Sequence, residues 1–234
     1  MIKHLFLDLD DTILDFHLAE RVALSGTFSE IGIEPTDATM KRYSEINRSC
    51  WERLEVGELT REQVLTLRFS ILFSELGVVA SPERCQELYE YRLCLVHPFM
   101  EGGAELLDEL YGSFKLYIAS NGTAVVQDRR IKDTGIAKYF DGIFISQRIG
   151  HNKPSREFFD GCFAAIPDFD ASEAMIVGDS LTSDILGGIT VGMKTCYFNP
   201  KGRENKTDIK PDYEIRALSE LLPLLTEING TAAL

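Results

Sequence analysis

Asp8-Leu9-Asp10-Asp11-Thr12 sets two acids, Asp8 and Asp10, two positions apart near the start of the chain. Carboxylates at that spacing can serve as nucleophile and proton donor, and can hold a hard cation. They directly follow Leu5-Phe6-Leu7, an apolar run that reads as a buried strand of a parallel sheet. The acids therefore fall at the carboxyl end of a strand, where ligands bind in open α/β sheets.

Three further clusters have the same placement. Ser120-Asn121-Gly122 follows the apolar run Leu116-Tyr117-Ile118-Ala119. A hydroxyl, an amide and free backbone N–H groups at a helix start suit a phosphate, although such a triplet alone is more often a turn and N-cap. Lys153-Pro154 follows a third run and precedes a helical pattern. Proline suits the first helical turn, and the lysine ahead of it can aim its ammonium at the same edge; taken alone, Lys153 reads as a solvated surface lysine. Gly178-Asp179-Ser180 follows Met175-Ile176-Val177, with Asp184 five positions beyond Asp179. Asp179 can face the tip of the first strand, and Asp184 can orient that carboxylate or a metal-bound water. Alone, these too are turn and cap residues. Coincidence at all four strand ends, on one edge of one sheet, is far less plausible than at any one.

The elements that must position these groups fall into three parts. The first strand, 3–8, stands alone. Residues 16–97 carry apolar positions at helical spacing, such as Val64, Leu67, Ile71 and Leu72, and predict about four helices. Thr60-Arg61-Glu62-Gln63 has the form of a capping box, Ser81-Pro82 that of an N-cap followed by proline, and Gly32, Gly57 and Gly77 sit where helices would end. Strands are predicted at 116–119, 142–145, 175–177 and 195–198, with an edge strand at 212–215. Helices are predicted at 125–134, 155–165, 183–191 and 218–225, and the tail at 230–234 is expected to fray. Strand and helix alternate, so the fold class is α/β: a doubly wound, parallel, Rossmann-like sheet. Residues 1–15 and 98–234 form that core, and 16–97 interrupt it as a helical insertion placed to cover the tip of the first strand.

The 234 residues are 44% hydrophobic and carry a net charge of −13. Such a chain repels nucleic-acid backbone and anionic membrane, so neither is an expected partner. No apolar stretch reaches membrane-spanning length, and no signal pattern opens the chain, so a cytosolic location is expected. The five cysteines are scattered, without a Cys-x-x-Cys pair, and the four histidines lack metal-ligand spacing.

The four clusters together resemble the motifs of the haloacid-dehalogenase-like (HAD) superfamily, whose members are mostly phosphohydrolases. The resemblance runs from Asp8 to beyond Asp184, and a helical insertion between the first and second motifs is that superfamily's type-1 cap. It implies Asp8 as nucleophile forming an aspartyl-phosphate, and Asp10 as proton donor and then base. It implies Mg²⁺ on Asp8, the Asp10 carbonyl and Asp179, with Asp184 and Thr12 in the outer layer. Ser120, Asn121 and Lys153 would hold the phosphoryl oxygens.

Within the superfamily, the chain is most similar to the pyrimidine 5′-nucleotidase branch. The similarity rests on Asp8 to Ile13 with Phe16, Asn47 to Trp51, Gly57 and Thr60 ahead of Arg68-Phe69, Ser120-Asn121-Gly122 with Gln127, and Asp184-Ile185-Leu186-Gly187-Gly188. Thr123 departs from it, since relatives often place an aromatic residue there. The implied substrate is a small phosphorylated metabolite, specifically a nucleoside monophosphate, with Phe16, His17, Asn47, Arg48 and Trp51 as candidates for recognising it. Trp51 at helical spacing from Asn47 equally suits a core position, and Arg48 a solvated one. The alternatives are a phosphatase for phosphoglycolate or a sugar phosphate, a phosphosugar mutase, a haloacid dehalogenase, against which Asp10 and Asp179 argue, and a non-catalytic module on the same scaffold.

Overall fold

The computed structural model describes residues 1–230. The expectation of fraying at 231–234 lies outside the described residues. The chain divides into two compact units, Met1–Asp15 with Pro98–Leu234, and Phe16–His97.

In chain order the elements begin with β1 (His4–Leu7). Four helices follow: α1 (Phe16–Glu30), α2 (Asp37–Glu55), α3 (Arg61–Leu76) and α4 (Pro82–Leu93). Then come α5 (Gly103–Leu110), β2 (Lys115–Ser120), α6 (Ala124–Thr134), β3 (Gly142–Ile145), α7 (Ser146–Ile149) and α8 (Arg156–Phe163). The chain continues with β4 (Ala174–Gly178), α9 (Leu186–Val191), β5 (Lys194–Phe198), β6 (Tyr213–Ile215) and α10 (Leu221–Asn229). Among the described residues the strands form one sheet in the order β3-β2-β1-β4-β5-β6, and every pairing is parallel.

Side-chain alternation along β1 divides the core. Leu5 and Leu7 pack on one face with Leu106, Leu107 and Leu110 of α5, Ile131 of α6, and Leu221 and Leu225 of α10. Phe6 packs on the other with Tyr117, Ile176 and the α8 side chains Phe158, Phe159 and Cys162. α9 lies so close to the sheet that a Cβ on Gly188 would collide with Ile176 and Thr195. The helix expected at 183–191 opens instead with a π turn, Leu181–Ile185, before α9 begins. α5 was not anticipated. Its N-cap is Gly102, at φ 78°, with no side-chain cap to announce it.

In the helical unit the start signals hold. Thr60 Oγ1 accepts from Gln63 N at 3.3 Å while Gln63 Oε1 accepts from Thr60 N at 2.8 Å. Ser81 Oγ accepts from Arg84 N at 3.1 Å, with Pro82 in the first turn. The interior is aromatic: Phe28, Tyr43, Phe69 and Tyr89 pack ring on ring. Among the described residues, no helix is long and apolar enough to cross a membrane.

Candidate functional site

Parallel register brings the strand ends to one edge. Leu7 pairs with Ile118 on one side and Val177 on the other, so Asp8 emerges beside Ala119 and Gly178. Strands β2 and β4 lie on opposite sides of β1, and the strand order proceeds outward from it both ways, which makes this the topological switch point of the fold.

Lys153 reaches the same point and is 1% exposed. Its ammonium donates to Asp8 Oδ1, Asp184 Oδ1 and the Ala119 carbonyl oxygen, each at 2.6 Å. That uses all three of its donors. Lys153, which taken alone suits a solvated surface position, is buried at the strand ends beside Asp8 and Asp184. Burial by itself would push this ammonium down, but Asp184 and Asp8 reverse the effect and hold it above the ordinary lysine range. Asn121 holds the lysine's backbone, and its amide also donates to Ser183 Oγ at 3.3 Å. Pro154 stands before α8 rather than inside its first turn. Ser155 is the cap, its hydroxyl accepting from Phe158 N at 3.3 Å.

Asp184 sits in the π turn. Its Oδ2 accepts from Ser180 N at 3.1 Å, and Ser180 Oγ accepts from Ser183 N at 3.1 Å. A Cβ on Gly178 would overlap the Asp184 carboxylate, so only glycine lets β4 pass this close. Oxygen atoms of Asp8, Asp179 and Asp184 all lie within 4.8 Å of one another. Burial pushes the Asp8 carboxyl up to about 8 against the pull of Lys153, with Asp184 and Asp10 adding repulsion. Asp179 is held well above the usual carboxylate range by burial, then by Asp11, Asp8 and Asp184. Three converging carboxyls face one ammonium, so they cannot all ionise on the protein's own charges. An all-oxygen cluster that needs added positive charge to ionise fits a hard divalent cation. Asp184, expected in an outer layer, has both oxygens engaged by protein donors, Lys153 Nζ and Ser180 N.

Asp10 lies on the α6 side. Its Oδ2 accepts from Gln127 Nε2 at 2.6 Å and its Oδ1 is ion-paired with Arg130 Nη1. Gln127 Nε2 also donates to Ser120 Oγ at 2.8 Å, and that hydroxyl oxygen accepts from Gly122 N at 3.0 Å. Thr12 is fully buried, and its hydroxyl has no hydrogen-bond partner.

The remaining expected residues belong to the helical unit. Asn47 is 6% exposed and committed within it. Its amide nitrogen donates to Glu20 Oε1 at 2.9 Å, while its oxygen accepts from Trp51 Nε1 at 3.0 Å and Arg68 Nη1 at 2.7 Å. The expectation of Asn47 facing a substrate is corrected on that ground: its polar atoms organise a buried network. Trp51 is half-buried with the Arg61 guanidinium 5.4 Å from its ring centre, Arg48 is exposed, and Phe16 and His17 are half-buried at the start of α1.

Arg130 and Glu20 were not anticipated. Each is a charged residue at a helical position otherwise held by core side chains: Val126, Gln127, Arg130 and Ile131 form the buried stripe of α6. A charge inside an apolar stripe was the available signal.

The haloacid dehalogenase-like hydrolase family model matches residues 2–192. The HAD-hydrolase YfnB of Bacillus subtilis is 40% identical over 227 residues, spanning 97% of each chain. Its crystal structure, described as bound to magnesium, superposes with a TM-score of 0.91 over 96% of this chain and 98% of that one. Pyrimidine 5′-nucleotidase PynA of Streptococcus pneumoniae is 34% identical, spanning 95% of this chain and 94% of its own. Pyrimidine 5′-nucleotidase YjjG of Escherichia coli is 30% identical, spanning 94% and 96%.

Proposed function

The chain belongs to the haloacid dehalogenase-like hydrolase family, and from that premise we propose that it is a Mg²⁺-dependent phosphomonoesterase whose substrate is a pyrimidine or modified nucleoside 5′-monophosphate. The observation that carries the chemistry is the Lys153 ammonium held between Asp8 and Asp184, within a cluster that includes Asp179. The similarity to two named pyrimidine 5′-nucleotidases supports the substrate.

Asp8 attacks phosphorus, the bond to the ester oxygen breaks, and Asp10 gives that oxygen a proton. Water then attacks the aspartyl-phosphate, Asp10 takes its proton, and inorganic phosphate leaves with Asp8 restored. Ser120, the Asn121 backbone and Lys153 hold the phosphoryl oxygens, for which Lys153 exchanges one of its present acceptors. Asp8, the Asp10 carbonyl and Asp179 hold Mg²⁺, with Asp184 adjoining. Bound there, the ion offsets the crowded negative charge and polarises the phosphoryl group. Base preference is assigned to the helical unit, with Trp51, Arg48, Phe16 and His17 as the residues to vary.

The test is phosphate release from a panel of nucleoside monophosphates, sugar phosphates and small phosphorylated acids. Release should be fastest from pyrimidine nucleotides, stop with chelator and return with Mg²⁺. Preference for phosphosugars would overturn the substrate assignment, and release indifferent to chelator would overturn the metal.

A further inference from the structure

Asp10 is held from one side by two residues of α6, both in its buried stripe. Arg130 is 0% exposed, while the Asp10 side chain keeps 25% of its surface open. The three are bonded to one another. Arg130 Nη1 donates to Asp10 Oδ1 and also, at 3.1 Å, to Gln127 Oε1. A guanidinium only donates, so the Gln127 amide must turn its oxygen towards Arg130 and its nitrogen away. That nitrogen is what reaches both Asp10 Oδ2 and Ser120 Oγ. Arg130 thus sets Gln127, and the two together fix both oxygens of Asp10 next to Ser120. Such a charge is a costly occupant of a helix stripe, because an apolar side chain of similar volume is often neutral or stabilising in place of a buried ion pair. Burial energetics give no reason for an arginine here.

We propose that Arg130 and Gln127 are positioning residues for Asp10, holding its carboxylate in one rotamer beside the phosphoryl site so that it meets the leaving oxygen. The proposal rests on the phosphomonoesterase reading. General acid catalysis matters most when the leaving group is poor, so its loss can be told from general damage. kcat/KM reports only steps through the first irreversible one, here transfer to Asp8 with departure of the ester oxygen.

The experiment measures kcat/KM of wild type, Arg130→Met, Arg130→Lys and Gln127→Met on a pyrimidine nucleoside 5′-monophosphate, an alkyl ester, and on p-nitrophenyl phosphate, whose leaving group needs little proton donation. Arg130→Met should lose about 10²-fold on the alkyl ester and only a few-fold on the aryl ester. Arg130→Lys should recover part of the alkyl activity. A crystal structure of Arg130→Met should show the Asp10 carboxylate away from Gln127 Nε2. Equal losses on both esters, no loss at all, or an unmoved Asp10 would overturn the proposal. If Arg130→Met does not fold, the ratio for Gln127→Met decides the matter in the same way. A wild type that hydrolyses neither ester overturns the phosphomonoesterase reading itself and this proposal with it. A wild type that hydrolyses both, with variants that do not discriminate, overturns this proposal alone.

Discussion

Asn121 and Lys153 exchange two hydrogen bonds. The Asn121 amide nitrogen donates to the Lys153 carbonyl oxygen and the Lys153 N–H donates to Asn121 Oδ1, both at 2.9 Å. The loop after β2 thereby clamps the segment ahead of α8 and sets where the Lys153 side chain begins. Asn121→Ala should release that segment and lower kcat by about 10- to 100-fold. The fold should survive, since the sheet pairings do not involve the amide. Steady-state kinetics beside circular dichroism test this; unchanged kcat would show that the clamp does not place Lys153.

Lys153→Met removes the ammonium from between two buried carboxylates. Breaking a buried pair from one side costs about 3–5 kcal/mol, and denaturant unfolding of the metal-free protein at neutral pH should show a loss of that size. The deficit should grow at pH 9, above the value of about 8 at which the Asp8 carboxyl titrates with Lys153 present, because the variant has no ammonium to offset the ionised carboxyl. An equal deficit at both pH values would contradict the charge explanation.

The Asp8 carboxyl, raised from 3.8 to about 8, makes stability depend on pH in the opposite sense from an ordinary salt-bridged acid. Between those values the folded state binds more protons than the unfolded one, so stability falls as pH rises. Thermal midpoints in chelator should therefore decline from pH 5 to pH 8. Mg²⁺ should remove the decline, because it favours the ionised cluster. Asp8→Asn should make the curve shallower without metal, leaving the share that Asp179 contributes, and abolish turnover by more than about 10³-fold. A chelated wild type as flat as Asp8→Asn would refute the assignment.

Gly178→Ala puts a methyl group where the Asp184 carboxylate lies. Asp184 must then leave Lys153 or Ser180. Turnover should drop by about 10²-fold or more, with reduced apparent affinity for Mg²⁺ in a metal titration. Normal kinetics in this variant would mean that Asp184 has no part in the cluster.

The strands and their order along the chain were legible because parallel strands buried on both faces read as short apolar runs between helical patterns. Helices with polar start signals, Thr60-Gln63 and Ser81-Pro82, were legible for the same reason that they are stable: the side chain satisfies an end N–H. α5 escaped because Gly102 supplies only a backbone conformation. The π turn escaped because the spacing of Leu181 to Ile185 does not distinguish it from an α turn. Asp8, Asp179 and Asp184 were legible as acids at strand ends. The burial of Lys153 was not, since nothing local to Lys153-Pro154 signals its three acceptors, which come from Asp8, Ala119 and Asp184. Asn47 illustrates the converse. Its partners Glu20, Trp51 and Arg68 lie on three helices, and only their packing decides that the amide is spent internally.

Where the core chain gives way to the helical insert, its two ends are already tied. Asp15 N donates to the Pro98 carbonyl oxygen at 2.9 Å, Met100 N to the Ile13 carbonyl oxygen at 2.9 Å, and Leu14 bridges Phe99. To the sheet, the excursion from 16 to 97 is a loop whose mouth is stitched shut, and closure entropy grows only slowly with what hangs beyond the stitch. The insert can therefore be lengthened, shortened or exchanged while the reach from Asp8 to its neighbours on β2 and β4 stays as it is. A chain built this way can acquire new recognition without disturbing its acids.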